Sequence, residues 1–511
     1  MSSGYPPSFP PGYPPPLPAA PPPRRRRGRT VLIAAVTVLV LAVAGVVVAH
    51  LANSSGGSSD QAHGSGAPSA GTCADTTSIP ATTTLQQAMT DAIQHRDRAA
   101  FLAVASTSTA KRLMGLWWDN AAAVGFTTGV AYIAPDDRPP ISASGASVPV
   151  TLTIGLHNAL DPIDPVSDVI DTPQTHAAST TYRVTLTRGG ADCNHLSIAS
   201  WKSLWNTPLD VPGHLYVKRT AHTVVAGEQA MKAQIDRLAP VAEKAARWDL
   251  GFFTTQQEKH KYLEQKGFVV FVPTTSQQAL HWFRAPTAPK PKGWTADAGA
   301  VAGTDFPLPG VNFTGVHSST TFDLGGSGAS RVIVTAAGRN ASARDLEGTL
   351  VHEFAHNLLD VNSVWVWVTG TPIPGAIIEG AARWIESYYY DNPACDCKNS
   401  QGRWPTALPH LKAQITPYLS RFSGAVPTDA QIYGASGTAN YYYALAASTF
   451  DWIAGQWGAS FALQTVVNDY LGQQNPFSGV VTSTKGGTVT LADPAQYQPK
   501  WASWVRGGLP A

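Results

Sequence analysis

His352, Glu353 and His356 are the residues whose types and spacing best fit chemistry. They lie in the run Ser342-Ala-Arg-Asp-Leu-Glu-Gly-Thr-Leu-Val-His352-Glu353-Phe354-Ala355-His356-Asn-Leu-Leu-Asp360. On a helix, side chains four residues apart project from one side, one turn apart. Two imidazoles so placed can offer a nitrogen each to one zinc ion. Glu353 then falls beside the ion rather than on it, where a carboxylate can take a proton from water that the metal activates. A zinc site with an open position needs a third protein ligand, and two His with one Glu is a common set. The candidate is Glu379, in Pro374-Gly-Ala-Ile-Ile-Glu379-Gly-Ala-Ala-Arg383-Trp-Ile-Glu386. The chain holds eight Glu, none before Glu228 and none after Glu386, and four of them (Glu347, Glu353, Glu379, Glu386) fall within forty residues around the motif. With so few Glu and 14 His, a chance match to the five-residue pattern is expected in roughly one per cent of such chains or fewer.

Two helices must carry these groups. Ser342 can cap the first, and Asp345 three residues on can complete a capping box. Leu346, Leu350, Val351, Phe354, Leu358 and Leu359 recur at helical spacing and give it a buried face. The second starts at Pro374-Gly375, with Ile377, Ala381, Trp384, Ile385 and Tyr388 as its apolar stripe. Glu379 could instead form a surface pair with Arg383. Glu386 could share the face of Glu379 or pair with Arg383. Asp360, two turns beyond His352, could orient an imidazole or simply end the helix.

A capped His-Glu-x-x-His helix, followed 23 residues after its second His by a helical Glu-Gly-x-Ala, resembles the gluzincin metallopeptidases, most of all the bacterial peptidase MA-like group. The resemblance spans roughly residues 226–470 and rests on those two motifs. It implies Zn2+ on His352, His356 and Glu379, with Glu353 as general base and acid in peptide-bond hydrolysis. The family also has a late helix that opens with a Tyr and ends on an aromatic-Gly pair. Here that helix is Asn440 to Gly458, and counting back from Gly458 puts Tyr443 at the family's tyrosine. A phenol there could donate a hydrogen bond to an oxyanion. Tyr441, Tyr442 and Tyr443 could equally form a packing cluster.

The rest of the chain is expected to be α+β and to fall into five segments: a Pro-rich, Arg-ended tail (1–30), a single transmembrane helix (31–51), a Ser/Gly linker (52–72), a domain over 73–225, and a mainly helical zincin-like metallopeptidase domain with a small sheet (226–511). Val31 to Ala49 carries no charge and follows five arginines within Arg24 to Arg29. That pattern predicts a single-pass anchor with a cytoplasmic N-terminus and extracellular domains; a cleaved signal peptide is the rival, and Val47-Val48-Ala49 fits its cleavage rule poorly. Cys73, Cys193, Cys395 and Cys397 then lie in an oxidising compartment. Of three possible pairings the expected one is Cys73 with Cys193, leaving Cys395-Asp-Cys397 to close on itself or hold a small loop; a Cys-x-Cys zinc clip is the weaker reading, since it lacks companion ligands.

In 73–225, helices around Thr84–Gln94, Arg98–Val104 and Ala110–Ala123 precede strands around Val148–Ile154, Thr180–Thr187, His195–Trp201 and Gly213–Lys218. Helices first and then an antiparallel set resembles an NTF2-like cone. Trp117 and Trp118 are expected in its core rather than in a pocket. Further on, Thr320–Leu324 and Arg331–Thr335 read as a hairpin. The resemblance to zinc peptidases implies that the strand before the active helix lines the cleft, and by its order in the chain Val332–Ala336 is the candidate edge to which a peptide adds. After a helix over Phe461–Tyr470 the tail to Ala511 reads as loop, with a strand at Thr488–Leu491. Charged residues make up 14 % and the net charge is +2, so no basic field marks a nucleic-acid partner. The expected partners are a peptide or protein substrate and, through one transmembrane helix, a membrane; oligomeric state is not legible. The alternative function is a catalytically inactive peptidase fold acting in binding, sensing or envelope assembly.

Overall fold

The structure is a computed structural model. It describes residues 79–133, 148–158, 178–188, 195–203, 207–256, 266–283, 303–306, 331–360, 373–394, 408–433, 438–470, 475–477, 479–482, 488–491 and 494–510. The expected tail, membrane span and linker, the four cysteines and the strand over 320–324 lie outside the described residues. The expected fold class needs one correction. Among the described residues, no helix is long and apolar enough to cross a membrane. Mixed α+β content with a helical C-terminal region stands.

The chain begins with three helices, α1 (Ile79–Gln94), α2 (Arg98–Ala103) and α3 (Ser108–Val124), ahead of a four-stranded antiparallel sheet in sequential order: β1 (Phe126–Ile133), β2 (Val148–Asn158), β3 (Ala178–Arg188) and β4 (Leu196–Ser203). Asp97 and Thr107 cap α2 and α3, each accepting a backbone N–H three residues on. Helices and sheet close over Phe101, Trp117, Trp118, Tyr182 and Trp201, all buried and in ring contact. Trp117 and Trp118 are therefore core. Strand β1 is not among the strands that the sequence announces; Gly129 and Ala131 interrupt its β-branched and aromatic run.

The strand expected at Gly213–Lys218 does not join that sheet. As β5 (Leu215–Arg219) it pairs with β6 (Thr223–Glu228) and opens a second sheet, completed by β7 (Phe268–Val272), β8 (Gly303–Phe306) and β9 (Arg331–Val334) in the order β5-β6-β7-β9-β8. The central pairs β6–β7 and β7–β9 are parallel, and the two outer pairs are antiparallel. Strand β9 is hydrogen-bonded on both sides, so it is not the free edge expected of it. Its antiparallel neighbour is 303–306 rather than 320–324.

Both faces of this sheet are covered, and period-two alternation sends its residues into different cores. Val224, Ala226, Val269, Phe271 and Ile333 pack with the N-terminal helices, the first sheet and α5 (Ser276–Phe283), which adds Trp282. Val225, Phe268, Val270, Val272, Val332 and Val334 pack against the helices on the other side. Asn120 ties the two halves from within: its Nδ2 donates to the carbonyls of Leu209 and Gly213, and its Oδ1 accepts from Leu215 N.

On the second face lie α4 (Lys232–Gln256), the short α6 (Ala336–Asn340), α7 (Ala343–Asp360), α8 (Gly375–Asp391), α9 (Pro409–Ile415), α10 (Asp429–Ile432), α11 (Ala439–Trp457) and α12 (Ala459–Tyr470). A β10–β11 hairpin (Gly479–Thr482, Thr488–Leu491) and α13 (Pro494–Arg506) finish the chain. Helix α13 corrects the expected loop. Pro494 starts it and Pro499 sits inside it, a pattern that discourages a helix reading. Trp501 nevertheless buries itself there, its Nε1 donating to Ser448 Oγ at 3.1 Å.

Candidate metal centre

Helix α7 is placed by its apolar side. Leu346, Leu350, Val351, Phe354, Ala355, Leu358 and Leu359 are buried, and Phe354 stacks on Phe268 of β7 with ring centroids 4.0 Å apart. Ser342 caps it as expected: its hydroxyl accepts from Asp345 N at 3.2 Å. The hydroxyl also donates to Asp345 Oδ2 at 2.7 Å, so the acid braces the cap rather than closing a reciprocal box. Helix α8 crosses α7 and packs closely on α11. Gly380 makes that approach possible, because a Cβ there would lie 3.0 Å from Ala446. Asp429 of α10 holds the start of α8, its Oδ1 accepting from Gly375 N at 2.7 Å.

This framework brings His352, His356 and Glu379 together. His352 Nε2 lies 3.1 Å from His356 Nε2 and 3.3 Å from Glu379 Oε2, and His356 Nε2 is 3.5 Å from the same oxygen. A tetrahedral zinc with bonds of about 2.0–2.1 Å needs ligand atoms about 3.3–3.4 Å apart, so the triangle fits one ion. Among the described residues this is the one group of three or more His, Cys, Asp and Glu close enough to share a metal.

The donor chemistry points the same way. His352 Nδ1 lies 3.1 Å from Glu386 Oε2, and a carboxylate there requires the Nδ1 proton. In the neutral ring Nε2 is then a lone pair. It faces a second carboxylate and a second imidazole nitrogen, and such a meeting is stable only with a cation, a proton or a metal, among them. Burial pushes the His352 pKa down, but hydrogen bonds from its ring to Glu379 and Glu386 outweigh it and hold it at about 10. Burial works against the charge on Glu379 as well, yet the two imidazoles keep its pKa well below the carboxylate range.

Glu353 is buried beside this cluster, and its charge acts on both His352 and Tyr443. Of the three consecutive tyrosines, Tyr443 is the one at the cluster. Its ring centroid is 6.4 Å from that of His352, and burial, with the nearby carboxylates of Glu379 and Glu353, raises its pKa strongly. Tyr441 instead packs on Tyr418 and Tyr442.

Glu386 is the residue that sequence reasoning undervalued. Its pairing with Arg383 and its place on the face of Glu379 hold together. Arg383 Nη1 donates to Glu386 Oε2 at 2.6 Å, so Arg383 is not the partner of Glu379. Burial opposes the charge on Glu386, but Arg383 and His352 bring its pKa down to about 2. The side chain of Asp360, the other candidate for orienting an imidazole, is outside the described residues. A further acid, Asp249 of α4, carries no signal in the sequence. It is fully buried with neither oxygen hydrogen-bonded, and burial raises its pKa well above the usual range, against the pull of His352. An isolated polar residue on an otherwise amphipathic helix gives no spacing signal.

No family model, curated protein or solved structure matches the chain.

Proposed function

We propose that the chain is a zinc-dependent peptidase of gluzincin type. The single observation that carries this reading is the triangle of His352, His356 and Glu379 ligand atoms at 3.1–3.5 Å with the buried Glu353 beside it. The likeness of the two helical motifs to those of gluzincins supports it. His352, His356 and Glu379 would hold the ion; when bound, it supplies a Lewis acid that polarises the scissile carbonyl and lowers the pKa of water. Glu353 is the general base and then the acid that returns the proton to the leaving amine. Tyr443 donates a hydrogen bond to the developing oxyanion. The N-terminal helices and sheet, NTF2-like in the order of their elements, support the site's sheet; their interior is filled by aromatic side chains.

Metal analysis of the purified protein, joined to proteome-wide profiling of cut sites with and without a chelator, tests the reading. About one zinc per chain and chelator-sensitive cleavage are expected. Absence of bound zinc sinks the proposal. Stoichiometric zinc with no cleavage across a broad peptide library replaces catalysis with binding.

Zinc uptake should also depend on pH in a stated direction. With its pKa held at about 10, His352 carries an extra proton below that pH, and a metal must displace it. Affinity is expected to rise about tenfold per pH unit through the neutral range, with release of about one proton. Calorimetry in buffers of different ionisation enthalpy measures that number directly.

A further inference from the structure

Glu386 stands between two donors, and the first of them, Arg383, has its own support. Its Oε2 receives Arg383 Nη1 at 2.6 Å on one side and His352 Nδ1 at 3.1 Å on the other. The guanidinium does not end there. Arg383 Nη2 donates to Gln414 Oε1 at 2.8 Å. With Oε1 turned towards Arg383, the amide nitrogen of Gln414 faces outward and donates to His410 Nε2 at 2.7 Å. The His410 ring in turn lies flat on Tyr390, centroids 4.3 Å apart and planes at 18°. A hydrogen-bonded line therefore runs from α7 through α8 to α9. Its inner members are shielded from water: the side chains of Arg383 and Glu386 are 15 % and 7 % exposed.

A planar fork with two different acceptors is fixed in its plane, which a single ion pair would not achieve. Here that plane sets where Glu386 Oε2 sits, and Oε2 sets the tilt of the His352 ring. Imidazole nitrogens that bind metals are aimed by whatever holds the other ring nitrogen. Building on the zinc reading above, we propose that Arg383, braced by Gln414, is the positioning residue of the metal centre: it locks Glu386 against His352 and so aims His352 Nε2 at the ion. Helix α9, which supplies no ligand, thereby becomes part of the site's support.

The test uses the full-length chain and zinc alone, with affinity measured by competition against a chromogenic chelator. Arg383→Ala is expected to weaken zinc binding about 10–100-fold, the range seen when an outer partner of a metal ligand is lost. Thermal melting in the presence of chelator reports whether the metal-free fold survives. Arg383→Lys keeps the charge but cannot span Glu386 and Gln414 together, so it should recover only part of the affinity. Gln414→Ala, at the less buried end of the line, is the variant to use if Arg383→Ala does not fold, and it should weaken binding by several-fold. Glu386→Gln combined with Arg383→Ala should cost no more than the worse single change, since both act through one contact. Wild-type affinity in a folded Arg383→Ala, or full additivity with Glu386→Gln, overturns the positioning role. A wild type that takes up no zinc overturns the peptidase reading itself, a separate result.

Discussion

Replacing Glu353 by Gln is expected to lower peptide hydrolysis about 10²–10⁴-fold, the usual yield of a positioned general base, while zinc stays bound at wild-type stoichiometry. The two halves of that expectation come from different parts of the geometry. The ligand triangle is complete without Glu353: its corners are His352, His356 and Glu379. Glu353 lies beside it, buried, with its charge felt by His352 and by Tyr443. Gln keeps the shape and burial of the side chain but cannot accept and return a proton. Glu379→Gln should behave oppositely, because it removes a ligand charge; zinc is then lost, and activity goes with it. Metal content and turnover measured on both variants separate the roles. If Glu353→Gln turns peptides over at the wild-type rate, water activation by that carboxylate is wrong. If it loses its zinc, Glu353 belongs to the coordination set and the assignment must be redrawn.

The helices that carry the centre were legible because their signals are local. The four-residue step from His352 to His356, the Ser342 cap and the apolar stripe of α8 depend on a period of 3.6 and on neighbours within a turn or two. Gly458 stopping α11 with a positive φ of 95°, which glycine adopts without strain, is a signal of the same kind. Strand partnership is not local. Leu215–Arg219 reads alike whether it closes the first sheet or opens the second, and only its register with Val224–Glu228 decides. Phe268–Val272 announces burial through its composition but not that its two faces feed two cores. The role of Glu386 depended on the crossing of α7 and α8, which puts residues 34 positions apart within 3.1 Å. A one-dimensional reading could offer its pairing options but not show that one oxygen serves both.

The sheet's two-sided burial gives the second large prediction. A fragment starting at residue 226, where the sequence suggests a domain boundary, should not fold. That cut passes through β6 (Thr223–Glu228) and removes β5 altogether. A more generous fragment, 207–511, keeps all five strands and the candidate centre, and it should still fail. It strips the N-terminal helices and first sheet from Val224, Val269, Phe271, Trp282 and Ile333, each now 3 % exposed or less. Uncovering a large apolar side chain costs about 1.5–3 kcal/mol, so five together approach the ~5–15 kcal/mol by which a whole domain is stable. Loss of Asn120 adds to this, leaving the carbonyls of Leu209 and Gly213 and the N–H of Leu215 without their partner. Circular dichroism, dye binding to exposed apolar surface and zinc content, compared with 73–511, read the outcome. The expected result for 207–511 is a dye-binding, aggregating chain without stoichiometric zinc. A monomeric 207–511 that melts cooperatively and holds zinc would show that the first sheet is dispensable to the metal centre rather than a needed cover for the opposite face of the sheet behind it.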